Sequence, residues 1–228
     1  MSVSNADGVD KPSFGQPTTP EEISQCKSCD EFKNFSLNYN PSVIFMRQQI
    51  QQLGGFVPPN EIKCQICPTA KLGGFHPEHG IQLCANYLDD KWTTGDVLTH
   101  ELIHWYDNSR FKVDWMNLRH HACSEIRAAS LSGECRLMVE FGKMLMKVDV
   151  DTSAGNGGVG NNTGDIKVGA KKGGFRFAKG HQECVKRRAA LSVVGHPKCK
   201  DMNHAKEIVE EVFTSCFNDT RPFEMIYR

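Results

Sequence analysis

No segment of this 228-residue chain approaches the roughly 18 consecutive apolar side chains that a membrane-spanning helix needs. Any association with a membrane is therefore expected to be peripheral. Nor is there an excess of charge: Lys plus Arg and Asp plus Glu both number 27, which leaves no global field to attract nucleic acid. The first 25 residues hold no apolar core of the kind a cleaved secretory signal requires. With one Lys, no Arg and several acids, they do not resemble an Arg-rich import presequence either. The chain also lacks the G-x-x-x-x-G-K-[ST] phosphate loop, so the eight glycines between Thr152 and Gly174 read as a flexible insertion rather than a nucleotide cradle.

What stands out is His100-Glu101-Leu102-Ile103-His104, an H-E-x-x-H pentapeptide in a segment that reads as helix. Two histidines four residues apart project from one helical face, a turn above each other, where they can share a metal ion. Glu101 lies between them in sequence and can address water at that metal, which is the spacing of a zinc-dependent peptidase. Thr93 and Asp96 are spaced like a capping box at the helix start, and Val97, Leu98 and Ile103 supply an apolar set. Upstream, Ile81, Leu83, Ala85 and Tyr87 alternate with Gln82, Cys84 and Asn86, predicting a half-buried strand from Ile81 to Leu88. Strand followed by H-E-x-x-H helix is the order in zincin peptidases, where by analogy an edge strand pairs with the extended substrate.

A catalytic zinc takes three protein ligands and keeps an open position. Glu125 is the best third ligand: it lies 21 residues after His104, enough for a turn and an antiparallel return. Ala128, Ala129 and Ser132 on its helix are small enough to allow close approach. Asp107 and Asp114 are rivals, and Asp107, three residues past His104, fits better as a partner for a ligating imidazole N–H. His120 and His121 are further possible ligands. In the expected mechanism zinc lowers the pKa of water towards about 7 and Glu101 acts as the base. Tyr106, His120, His121 and Arg127 are candidate donors to the oxyanion. His181 and His204 read as structural.

Ten cysteines include two C-x-x-C pairs, Cys26/Cys29 and Cys64/Cys67. A four-thiolate zinc site is one reading, but 34 residues separate the pairs, against roughly 15–20 in a compact ribbon. The favoured reading is five disulfides in an oxidising compartment. Cysteine-rich and without a secretory address, such a chain suits the mitochondrial intermembrane space, entered through an oxidative import machinery.

The expected fold is α+β and zincin-like: a small sheet, the H-E-x-x-H helix, then further helices, stapled by disulfides. Residues 1–22 form an expected disordered tail, and 23–228 a single metallopeptidase domain interrupted by the insertion at 152–174. Pro41 to Leu53 reads as a short amphipathic helix ended by Gly54-Gly55. Strands are expected over Glu61–Cys67 and Ile81–Leu88, joined by a Gly73-to-Gly80 loop, and helices over 94–107, 121–147, 178–194 and 201–217. Lys186, Arg187 and Arg188 form a basic cluster that is either a solvated face or a contact for anionic lipid.

Four blocks carry a more specific likeness: HELIHWYD from His100, ACSEIRAA from Ala122, HQECVKRR from His181 and CFNDTRPFEMIY from Cys216. From about Cys26 to its end the chain resembles the mitochondrial inner-membrane metallopeptidases that process ATP synthase subunit 6. The resemblance implies a peripheral protein on the intermembrane-space face, one zinc per chain, subunit 6 as substrate and assembly client, and no nucleic acid partner. It carries the metal-binding role to His100 and His104 and the catalytic role to Glu101; Glu125 rests mainly on spacing. Two other classes stay open: a non-proteolytic chaperone on a zincin fold, and a nuclear metallopeptidase acting on DNA–protein crosslinks. The latter would be expected to carry its cysteine zinc module after the catalytic motif, with a basic tail.

Overall fold

The computed structural model describes residues 17–135 and 177–224. Helix α1 (Pro20–Tyr39) begins within the expected tail: the Thr19 hydroxyl accepts from the Glu22 N–H and the Glu22 carboxylate accepts from the Thr19 N–H, a closed capping box with Pro20 next in line. Sequence reading assigned no element to this stretch, because its apolar residues do not form a clean stripe. Asn40 stops α1 and starts α2 (Pro41–Gln52), its side-chain oxygen accepting from Ser42 and Val43 N–H. Helix α2 matches its expected span, and Gly54, at φ +81°, turns the chain out of it.

Three short strands follow: β1 (Ile62–Gln65), β2 (Gly73–His76) and β3 (Gly80–Cys84), in sheet order β1-β3-β2. β3 pairs parallel with β1, Ile62 opposite Ile81, and antiparallel with β2, Phe75 opposite Ile81. Two expectations change here. The strand read as Ile81–Leu88 ends at Cys84 and gives way to a 3₁₀ turn over Ala85–Tyr87, and it is central, with Ile81 and Leu83 buried. The edges among the described strands are β1 and β2, and β2 lies in the stretch expected to be loop; its Gly-Gly-Phe-His sequence carries no alternation to announce a strand. The β2–β3 turn depends on Gly80: φ is +75°, and a Cβ there would stand 2.3 Å from the Glu61 carbonyl oxygen.

Helix α3 (Lys91–Arg110) carries the H-E-x-x-H motif and starts earlier than Thr93. Asp90 is its N-cap, accepting from Trp92 N–H at 2.7 Å and Thr93 N–H at 2.9 Å. A carboxylate three residues upstream thus takes the cap, and Thr93 sits in the first turn. Helices α4 (Leu118–Leu131), α5 (Phe177–Val193) and α6 (Met202–Asn218) complete the described residues. The helix expected over 121–147 ends at Leu131, two residues before Gly133 at φ +104°; residues 136–147 and the 152–174 insertion lie outside the described residues.

Two apolar clusters result. Leu37, Val43, Met46, Ile50, Ile62, Ile81, Leu83, Leu98 and Leu102 join α1, α2, α3 and the sheet; Ile126, Val185, Val193, Val209 and Phe213 join α4, α5 and α6. Helix α4 serves both: Ala128 packs on the first cluster, Ala122 and Ala129 on the second. Small side chains on both faces let it fit between them.

Disulfides join Cys29 to Cys64, Cys67 to Cys84, Cys123 to Cys216 and Cys135 to Cys184. The expectation of five is corrected to four: Cys26 and Cys199 are free thiols. Cys26 packs against the first cluster and Cys199 against the second, so the two have no reason to meet. Three of the four C-x-x-C thiols, Cys29, Cys64 and Cys67, are taken into bridges, which rules out a four-thiolate site.

Candidate metal centre

Helix α3 presents His100 and His104 on one face, and α4 packs against it to set Glu125 beside them. One Glu125 oxygen lies 3.4 Å from His100 Nε2; the other lies 3.5 Å from His104 Nε2 and 3.2 Å from His121 Nε2. A donor atom of each of His100, His104 and Glu125 falls within 4.8 Å of the others. Two imidazoles and one carboxylate converging in this way fit a zinc ion and leave its remaining face to a cleft of about 440 Å³. The rivals lie elsewhere. Asp107 is buried against Arg127 and Ser124, and the Asp114 carboxylate accepts from the Met116 N–H.

Each histidine is oriented through its second nitrogen. His104 Nδ1 lies 2.7 Å from Ser124 Oγ, which donates at 2.9 Å to Asp107, whose carboxylate in turn accepts from Arg127 Nε at 3.0 Å. Because the Ser124 proton goes to Asp107, the hydroxyl accepts from His104 Nδ1–H and leaves the Nε2 lone pair for a metal. Asp107 therefore supports the ligand as expected, but one hydroxyl further out. His100 Nδ1 is tied to Glu134, which Arg188 of α5 grips through Nε at 2.7 Å and through Nη2.

The charges follow from this packing. Burial alone would raise Glu125, but His104, with hydrogen bonds from His100 and His121, holds its carboxyl well below the usual range. Burial, with the neighbouring imidazoles His100 and His121, pushes His104 down to about 3, so it is neutral and available as a ligand. Burial likewise opposes ionisation of Glu134, yet His100 and Arg188 hold it at about 2. Glu101 is the exception. Burial first, then the carboxylates of Glu125 and Glu134, raise it to about 7, against the opposing pull of His100.

Glu101 meets the edge strand directly. A Cβ on Gly73 would stand 3.2 Å from Glu101 Oε1 and 3.0 Å from both the Gln82 carbonyl oxygen and Val97 Cγ1. Gly73, Gly74 and Phe75 of β2 line one wall of the cleft; Arg188, Leu191 and Ser192 of α5 line another. Among the four oxyanion candidates only His121 lines the cleft. Tyr106 belongs to the first apolar cluster, Arg127 is taken by Asp107 and backbone carbonyls, and His120 accepts from the Asp114 N–H. His121 Nδ1 is buried without a hydrogen-bond partner.

The basic cluster is broken up. Lys186 pairs with Glu210 at 2.6 Å, while Arg188 turns inward to Glu134. His181 and His204 lie away from the site, His181 near Ser130 and Cys135 and His204 accepting from the Lys200 N–H. A second set of potential ligands, His76, Glu78 and His79, stands on the β2–β3 turn, with every member exposed. Sequence reading missed Ser124, Glu134, Arg188 and the β2 backbone. Glu134 carries one signal in hindsight: it adjoins Cys135, whose partner Cys184 lies one helical turn before Arg188.

Comparison with known proteins gives a consistent picture. The profile of the Peptidase M76 family matches residues 27–155 and 160–224. A mitochondrial inner membrane protease ATP23 of Kluyveromyces lactis is 49% identical over 212 residues, covering 90% of this chain and 76% of its own. Its namesake in Yarrowia lipolytica is 47% identical over 208 residues, covering 91% of this chain and 72% of its own. That of Saccharomyces cerevisiae is 46% identical over 208 residues, covering 90% and 81%. No solved structure matches the chain.

Proposed function

The chain belongs to the Peptidase M76 family, and from that premise we propose that it is a zinc-dependent endopeptidase of the mitochondrial intermembrane space. Its substrate in this reading is ATP synthase subunit 6, whose N-terminal extension it removes and whose assembly into the membrane sector it assists. The observation that carries the chemistry is the convergence of His100, His104 and Glu125 beside a buried Glu101, under an edge strand.

Held by those three residues, zinc supplies Lewis-acid polarisation of a peptide carbonyl and acidifies water. The rest falls to the protein. β2, which pairs on one side only among the described residues, offers its other edge to an extended peptide, which aligns the scissile bond along the cleft. Glu101, buried beside the site, takes the proton of the attacking water and returns it to the leaving amine. His121, at the cleft wall, has its Nε2 3.2 Å from Glu125 and holds that carboxylate in place.

Placement rests on three supports. The relatives are named inner membrane proteases; no described helix is long and apolar enough to cross a membrane; and four disulfides suit an oxidising compartment. The subunit 6 assignment and the assembly role come from family resemblance. Peripheral attachment needs no uniform basic face on α5.

The test uses the zinc-loaded protein and a peptide spanning the subunit 6 extension. Wild type should cleave it. Glu101→Gln should keep zinc while cleavage falls by at least the ~10²–10⁴-fold typical of acid–base catalysis. In cells the same variant should leave uncleaved but assembled subunit 6. Wild-type cleavage by Glu101→Gln would remove the mechanism.

A further inference from the structure

The two imidazoles of the site are supported unequally. His104 leans on a neutral hydroxyl, Ser124, with the charges of Asp107 and Arg127 one step removed. His100 leans directly on a carboxylate. Glu134 bonds to His100 Nδ1 through Oε1, while its other oxygen takes both Nε and Nη2 of Arg188. The Glu134 side chain is 11% exposed and that of Arg188 35%, so the carboxylate is shielded while the guanidinium reaches it from the cleft wall.

The chain is built to bring this pair together. Gly133, in the left-handed region at φ +104°, swings Glu134 back over the end of α4. The next residue, Cys135, is bonded to Cys184 on α5, and Arg188 follows one turn later on the same helix. Without Arg188, a buried carboxylate would face His100 with one oxygen uncompensated. Without Glu134, the His100 ring would lose the acceptor that fixes its tautomer and its rotation.

We propose that Glu134 and Arg188 form a positioning pair that aims His100 Nε2 at the metal, making α5 a working part of the metal centre. This rests on the zinc peptidase reading above. Neither residue touches substrate or metal in this scheme: Glu134 acts through His100, and Arg188 acts through Glu134. That order makes a specific demand. Removing Arg188 after Glu134 is gone should cost nothing further in zinc affinity, because its only route to the metal is lost.

The experiment measures zinc affinity of the full chain by competition with a chromogenic chelator, alongside the absorption spectrum of the cobalt-substituted protein. Glu134→Ala should weaken zinc about 10–100-fold, the range for loss of a carboxylate behind a ligating histidine, and should alter the cobalt spectrum. Arg188→Ala should weaken it less, Arg188→Lys should recover part of that loss, and the double variant should match Glu134→Ala alone. Glu134→Gln, which preserves volume, serves if Glu134→Ala does not fold. Wild-type affinity and spectrum in a folded Glu134→Ala or Glu134→Gln protein overturn the pair while leaving the zinc site standing. A wild-type chain that takes up no stoichiometric zinc overturns both readings.

Discussion

Ser124 stands between His104 and Asp107, 2.7 Å from the imidazole nitrogen and 2.9 Å from the carboxylate, so one buried hydroxyl satisfies both. Ser124→Ala leaves His104 Nδ1–H without a partner, while the Asp107 oxygen keeps Arg127 Nε at 3.1 Å. Each unsatisfied buried group costs roughly 1–3 kcal/mol. The variant should unfold at lower denaturant, with unchanged slope, and should bind zinc more weakly than wild type.

Glu125 and Glu101 should separate by metal content. Glu125→Ala removes a donor from the three-residue set, so zinc per folded chain, read by elemental analysis after dialysis, should fall well below that of Glu101→Gln. Equal zinc in the two variants would exclude Glu125 as a ligand.

The raised pKa of Glu101 makes a signed prediction for the metal-free protein. A buried carboxyl that titrates near 7 when folded, against its ordinary 4.5, holds its proton more tightly in the native state. Its contribution is fully present below 4.5 and is lost as pH rises to about 7. Glutamine mimics the protonated form, so Glu101→Gln should gain stability relative to wild type across that window. Denaturant midpoints of both proteins at pH 4.5, 6 and 7.5 measure it, and a constant difference contradicts it.

Gly73→Ala tests the edge strand. The added methyl meets two atoms at 3.0 Å and Glu101 Oε1 at 3.2 Å, so either β2 or the Glu101 carboxylate must shift. Cleavage should fall through both kcat and KM while zinc content stays at the wild-type value.

Alkylation of the native, unreduced protein followed by intact-mass measurement should label two cysteines, Cys26 and Cys199. Breaking Cys123–Cys216 by replacing both residues with Ser should lower the thermal midpoint. A loop spanning 93 residues of sequence loses about 4–5 kcal/mol of unfolded-state constraint on the chain-entropy account.

The metal-binding face of α3 was legible because helical periodicity alone puts His100 and His104 together, and Glu125 because a return helix needs only a turn's length of chain. β2 was not legible, since Gly73 and Gly74 reveal a strand only through their pairing with β3. Glu134 and Arg188 lie 54 residues apart, and their meeting is a property of the packed helices, not of local pattern. The same holds for cysteine pairing. An even count suggests full oxidation, but proximity decides it, and Cys26 and Cys199 belong to different clusters. The start of α3 is earlier than expected because Thr93 and Asp90 are both good caps, and the Asp90 carboxylate accepts from both Trp92 and Thr93 N–H.

Helix α4 lies between the two apolar clusters, and its Glu125 faces histidines that α3 anchors in the first of them. An ion held there would rivet one half of the molecule to the other. Loading would stiffen the seam along α4 by mass action, so the holoprotein should resist proteases that nick the metal-free chain. A cell that withheld zinc would then lose the protein itself along with its activity.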